Sequence, residues 1–145
     1  MRIWTILLLA LMLTVAACGG DSAEETTFDE SATSAEDIDV STLAQSIDVH
    51  TAASLQGRDD VVLIDVREQH EYDAGHIPDI TLIPMSEIQN RVSEIPTDVE
   101  VVLTCRSGNR SGQVHAYLTE LGFDNVHNME GGILAWETEG YEVER

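Results

Sequence analysis

The feature that most constrains this chain is an apolar run that breaks abruptly into a polar loop: Val101-Val102-Leu103-Thr104-Cys105-Arg106-Ser107-Gly108-Asn109-Arg110-Ser111. Its first half is β-branched and apolar, which reads as a buried parallel strand. After Ser111 the apolar residues Val114, Tyr117, Leu118 and Leu121 recur at helical spacing. Cys105 is therefore predicted to stand where a strand ends and a helix is about to begin. In an α/β sheet that edge, outside the carboxyl ends of the strands, is where ligands bind.

A tight loop feeding a helix turns several backbone N–H groups inward and forms an anion cradle. Those dipoles, with Arg106 and Arg110 close by in sequence, are expected to favour the Cys105 thiolate, the nucleophilic form of cysteine. Gly108 lets the backbone turn without a side-chain clash. Arg110 has the fork that could hold an anionic substrate by paired hydrogen bonds. A buried structural cysteine at a strand end is the alternative; two arginines and a glycine within five residues argue against it.

The loop Cys105 to Ser111 resembles the active-site loop of rhodanese-like sulfurtransferases. Three further stretches resemble signatures of that family, in the same order. They are Leu63-Ile64-Asp65-Val66-Arg67-Glu68 with Glu71-Tyr72, then Gly75-His76-Ile77-Pro78, then Glu130-Gly131-Gly132-Ile133-Leu134-Ala135-Trp136. The resemblance runs from about Ile47 to Tyr141. It implies a three-layer α/β fold with a mostly parallel five-stranded sheet and helices on both faces. It also implies that Cys105 takes a sulfane sulfur from a donor such as thiosulfate, becomes a persulfide, and passes the sulfur to cyanide or a thiol. Arg106, Ser107, Gly108, Asn109 and Arg110 would bind the small anionic donor, and no cofactor is needed. One departure stands out: Asp79-Ile80 follows Pro78 where the family usually has Gly-Ala.

Charge narrows the partners. The chain has 27 acidic residues against 7 basic ones, a net charge of −20, and every basic residue is Arg. That balance argues against nucleic acid and against docking on anionic lipid by charge. Met1 to Ala17 reads as a targeting segment: Arg2 precedes an apolar run too short for the ~20 residues of a transmembrane helix, and the run ends in small residues. Val15-Ala16-Ala17-Cys18 resembles a bacterial lipobox, which implies cleavage before Cys18 and a lipid anchor on it. The expected location is extracytoplasmic, tethered to the bilayer through Cys18. Residues 18–40 are acidic and poor in apolar residues, and are expected to be a disordered linker. The folded domain is expected over 41–145.

Within it, Thr42 to Ile47 leads into an edge segment, and Thr51 is a candidate cap for a helix from Ala52 to Gln56. Val61 to Asp65 reads as a strand, Arg67 to Ala74 as a short helix, and Thr81 to Ile83 as a brief strand. Ser86 is a candidate cap for a helix through Val92. Asn125 to Asn128 reads as a last strand and Gly131-Gly132 as the opening of a helix through Thr138. Strands alternating with helices imply a covered parallel sheet.

Asp65 and Arg67 end a central strand and are expected to form an internal charge network near Cys105. His76 is expected to bond backbone rather than act as a base, and Trp136 to pack in the core. His50, His70, His115 and His127 lack metal-ligand spacing, so no metal site is expected. With Cys18 acylated, Cys105 has no resolving partner, which leaves covalent catalysis by one thiolate. Phosphatases and arsenate reductases of related fold carry a longer C-x5-R loop; here the spacing is C-x4-R. A non-catalytic binding module or a sulfur carrier serving a partner protein are the remaining alternatives.

Overall fold

The computed structural model describes residues 38–145. The targeting segment, Cys18 and all but the last three residues of the acidic linker lie outside the described residues. Ile38 and Val40 pack against the core, and the Arg58 guanidinium donates to the Ile38 carbonyl at 3.2 Å.

In chain order the elements are β1 (Ser46–Ile47), α1 (Val49–Leu55), β2 (Val61–Asp65), α2 (Gln69–Asp73), β3 (Thr81–Leu82), α3 (Ile88–Arg91), β4 (Glu100–Thr104), α4 (Asn109–Glu120), β5 (Val126–Met129) and α5 (Gly132–Thr138). The five strands form one parallel sheet in the order β1-β5-β4-β2-β3. The two most apolar strands, β2 and β4, lie side by side at its centre, with Leu63 opposite Val102 and Asp65 opposite Thr104.

The period of two along these strands divides the core into two layers. Val61, Leu63, Val102 and Met129 face one way and bury Leu55 of α1, Ile133 and Trp136 of α5, and part of Tyr72 of α2. Ile64, Val101, Leu103 and Val126 face the other way, against Ile88 of α3 and Val114 and Leu118 of α4. Full burial of Leu118 contributes about 1.5–3 kcal/mol over leaving it exposed. The three-layer α/β architecture read from the sequence is the one observed.

Helix boundaries differ from the sequence reading in instructive ways. α1 is capped by Asp48, whose carboxylate accepts from the Thr51 N–H at 2.7 Å, so Thr51 lies inside the helix. The Ser86 hydroxyl donates to Glu68 at 3.0 Å, and α3 begins two residues later. α4 starts at Asn109, before the apolar spacing becomes visible, because its first turn is polar and carries Ser111 to the Cys105 sulfur. Asp79, the departure noted above, is exposed with φ 58°. That left-handed conformation is one glycine adopts freely and Asp tolerates.

Candidate active site

β4 ends at Thr104, and the next residues form a loop closed around the Cys105 sulfur. The Gly108 N–H donates to Cys105 Sγ at 3.2 Å, and the Ser111 hydroxyl donates to it at 3.4 Å. The loop folds this way because its carbonyls are engaged elsewhere. The N–H groups of Ile133 and Leu134, at the start of α5, donate to the carbonyls of Cys105 (2.9 Å) and Arg106 (3.1 Å). In a trans peptide the carbonyl and the following N–H point in opposite directions. Holding the Arg106 carbonyl on α5 therefore turns the Ser107 N–H toward the sulfur.

The electrostatic result is a stabilised thiolate. Burial alone pushes the Cys105 thiol up. The Ser111 hydroxyl and the amides of Ser111, Ser107 and Gly108 outweigh it and bring the thiol below its ordinary range. The arginines contribute less than their nearness in sequence implied. Arg106 is exposed. The Arg110 fork is occupied: two of its N–H groups donate to the Glu71 carboxylate at 2.6 and 2.7 Å.

The remaining site residues fall into place around this loop. Asp65 and Arg67, both buried, form a bidentate pair, and Arg67 also donates to the carbonyls of Gly75 (2.8 Å) and Glu71 (3.3 Å). The pair thus ties the end of β2 to α2 and the turn after it. His76 stacks on Tyr72 with ring centroids 3.8 Å apart, its Nδ1 lies 3.1 Å from the Tyr72 carbonyl, and its Nε2 lies 3.2 Å from Glu144. Asn109 is the exposed first residue of α4, and Ser107 is likewise exposed. Trp136 is buried in the core and donates to the Glu142 carbonyl at 2.8 Å.

Beside the loop lies an open cleft of about 240 Å³, with Arg67, Glu71, Ala74, Arg106, Leu134 and Glu137 on its walls. Neither His76 nor Asp79 lines it. Two contributors were not assigned roles from sequence: Glu71, which holds Arg110, and Gly132, which lets α5 meet the loop. Consecutive glycines before an apolar run were the available signal for the second.

The Glu71–Arg110 pair has a measurable consequence. Arg110 holds the Glu71 carboxyl down at about 2. A depressed carboxyl contributes stability that is full above its unfolded value and lost as pH falls toward the folded one. The stability gap between parent and Glu71→Gln is expected to be constant at neutral pH, to shrink below about pH 4.5, and to be nearly gone by about pH 2. Thermal unfolding of both proteins across that range checks it; a gap that does not narrow in acid would refute the assignment.

Residues 48–139 match the profile of the rhodanese-like domain. A sulfurtransferase of Allochromatium vinosum is 46% identical over 89 residues, 61% of this chain and 83% of that one. A thiosulfate sulfurtransferase of Pseudoalteromonas translucida is 35% identical over 91 residues, 63% of this chain and 87% of that one. Among solved structures, a rhodanese-related protein from Thermoplasma volcanium superposes with a TM-score of 0.61 at 34% identity, over 70% of this chain and 98% of that one. A rhodanese-like domain protein from Staphylococcus aureus gives 0.60 at 33% identity, over 70% and 100%. With the parallel sheet and the cysteine loop at its edge, these matches place the chain in the rhodanese-like domain family.

Proposed function

We propose that this protein is a sulfurtransferase that moves a sulfane sulfur from a donor such as thiosulfate to a thiophilic acceptor, cyanide or a thiol, through a persulfide on Cys105. Family membership and relatives named as sulfurtransferases support a sulfur-transferring enzyme. The observation that carries the reading is the ring of donors on Cys105 Sγ. The thiolate attacks the outer sulfur of thiosulfate, the donor S–S bond breaks, and its electron pair leaves on sulfite. The new terminal sulfur takes the negative charge and meets the same loop amides. Cyanide then attacks that sulfur, the Cys105 Sγ–S bond breaks, and the pair returns to Cys105 as thiocyanate leaves. No proton or electron is left over in either half.

Arg110 has its fork on Glu71, so the loop amides and the Ser111 hydroxyl, rather than Arg110, are the groups turned toward the reacting sulfur. Intact mass of residues 38–145 before and after thiosulfate tests the proposal. The parent is expected to gain one sulfur, to lose it on adding cyanide, and Cys105→Ser to gain none. A parent that stays unmodified while Cys105 still alkylates would sink it.

We also propose that the domain works outside the cytoplasm, anchored by acylated Cys18. The support is Val15-Ala16-Ala17-Cys18 after the apolar run. Incorporation of a labelled fatty acid by the full chain, abolished in Cys18→Ser, is the expected result; equal labelling of both, or none of either, would refute the anchor.

A further inference from the structure

Positive charge is scarce in this chain, and much of it is gathered at one place. Of the six arginines among the described residues, four stand at the cleft. Arg67 and Arg106 line it, Arg110 holds Glu71 of its wall, and Arg145 holds Glu137 of its wall at 2.7 Å. The first three belong to the end of β2 and to the reactive loop. Arg145 comes from a different part of the chain, the segment that follows α5.

That segment is fastened across the fold as a strap. Its Glu142 carbonyl accepts from the Trp136 indole at 2.8 Å. The Glu144 N–H donates to the His76 carbonyl at 2.8 Å, and the His76 N–H donates to the Glu144 carbonyl at 2.9 Å. The strap lays the Arg145 stem on the turn after α2: a Cβ built on Gly75 would stand 3.3 Å from Arg145 Cγ and 3.2 Å from a Val143 methyl. Gly75 and Glu137 both line the cleft. The Arg145 side chain therefore runs from the turn after α2 to α5 along the cleft rim. Its pair with Glu137 is exposed, with side chains 65% and 39% accessible, and an exposed pair adds little to stability. What the pair does change is the field that an incoming ion meets. In a chain of net charge −20 the approach already disfavours anions, and a bare Glu137 carboxylate would add to that at the cleft itself.

We propose that Arg145 is a specificity-determining residue: by neutralising Glu137 it keeps the cleft passable to anions on their way to Cys105. It acts through Glu137 and takes no part in bond making. The inference borrows from the sulfur-transfer reading only that an anion such as thiosulfate travels this cleft. The selectivity is one of charge, so it extends to any anionic reagent and spares a neutral one.

The test is a charge cycle on residues 38–145, which contain both layers of the core. Alkylation of Cys105 by iodoacetate, an anion, is compared with alkylation by neutral iodoacetamide, and the ratio of the two rates is read. At low salt Arg145→Gln is expected to lower that ratio about threefold, as for one unit charge left uncovered near the path. Glu137→Gln is expected to raise it by a similar factor, and the double variant to return it to the parent value. Raising the ionic strength from ~0.01 M to ~1 M should erase the differences, because the screening length falls from ~30 Å to ~3 Å. Loading by thiosulfate, a dianion, should follow the same order with the factor roughly squared, to about tenfold. A ratio unchanged in Arg145→Gln, a fall shared equally by both reagents, or a fall that the double variant does not restore overturns the role of Arg145. The full cycle with iodoacetate, in a Cys105 that never takes up sulfur, would uphold this role and overturn the sulfur-transfer reading instead.

Discussion

Gly132→Ala is expected to disable the reactive loop of this protein. The residue has φ +57°, and a Cβ there would stand 2.4 Å from the Cys105 carbonyl oxygen, 2.6 Å from the Arg106 carbonyl carbon and 2.7 Å from the Ser107 nitrogen. All three are backbone atoms of the loop, so no side chain can rotate away. Either α5 or the loop must shift, and the bonds from the Ile133 and Leu134 amides to the Cys105 and Arg106 carbonyls lengthen or break. A displacement of about 1 Å at a reacting group is worth on the order of 100-fold in rate, and forcing a non-glycine residue into this backbone region costs about 1–3 kcal/mol. Sulfur loading of Cys105 is therefore expected to fall by about two orders of magnitude. The pH midpoint of its alkylation should rise as the amides leave the sulfur. Gly122→Ala is the control: it has φ +97° but nothing within 4 Å of its Cβ. If Gly132→Ala loads and alkylates as the parent does, the buttressing role is wrong.

Asp65→Ala is expected to be the most destabilising single change at the site edge. Asp65 and Arg67 are nearly inaccessible, with side chains 1% and 6% exposed. Removing the carboxylate leaves a buried guanidinium with only carbonyl partners, and breaking a buried pair in this way costs about 3–5 kcal/mol. Urea unfolding should show a midpoint lowered accordingly, with an unchanged slope. Replacing both partners, Asp65→Ala with Arg67→Met, should recover much of the loss, because the apolar pair leaves no charge to desolvate. A single variant within 1 kcal/mol of the parent would mean that water reaches Arg67 freely.

The sheet was legible because its strands are short, apolar and β-branched, and because a parallel strand buried on both faces leaves an unbroken run. Val61 to Asp65 agrees with β2 to the residue. Helix starts were less legible. Asp48 and Thr51 both carry cap chemistry, and only geometry decides that Asp48 lies outside the helix with its carboxylate turned back on the Thr51 N–H. At the site, Cys105 and its loop could be found from composition and spacing. The role of Arg110 could not, because its partner Glu71 comes from α2, far away in sequence. Gly132 was equally hidden: two glycines before a helix read as a local start, whereas the second is required by a close approach between two backbones.

The donors that hold the Cys105 sulfur are backbone amides and one buried hydroxyl, while the side chains of Arg106, Ser107 and Asn109 point outward. The groups that stabilise the thiolate are thus separate from the side chains that the same seven residues present to solvent. Exchange of an outward side chain is expected to leave every donor to the sulfur in place. Substitutions at these three positions can therefore accumulate without removing a donor from the nucleophile.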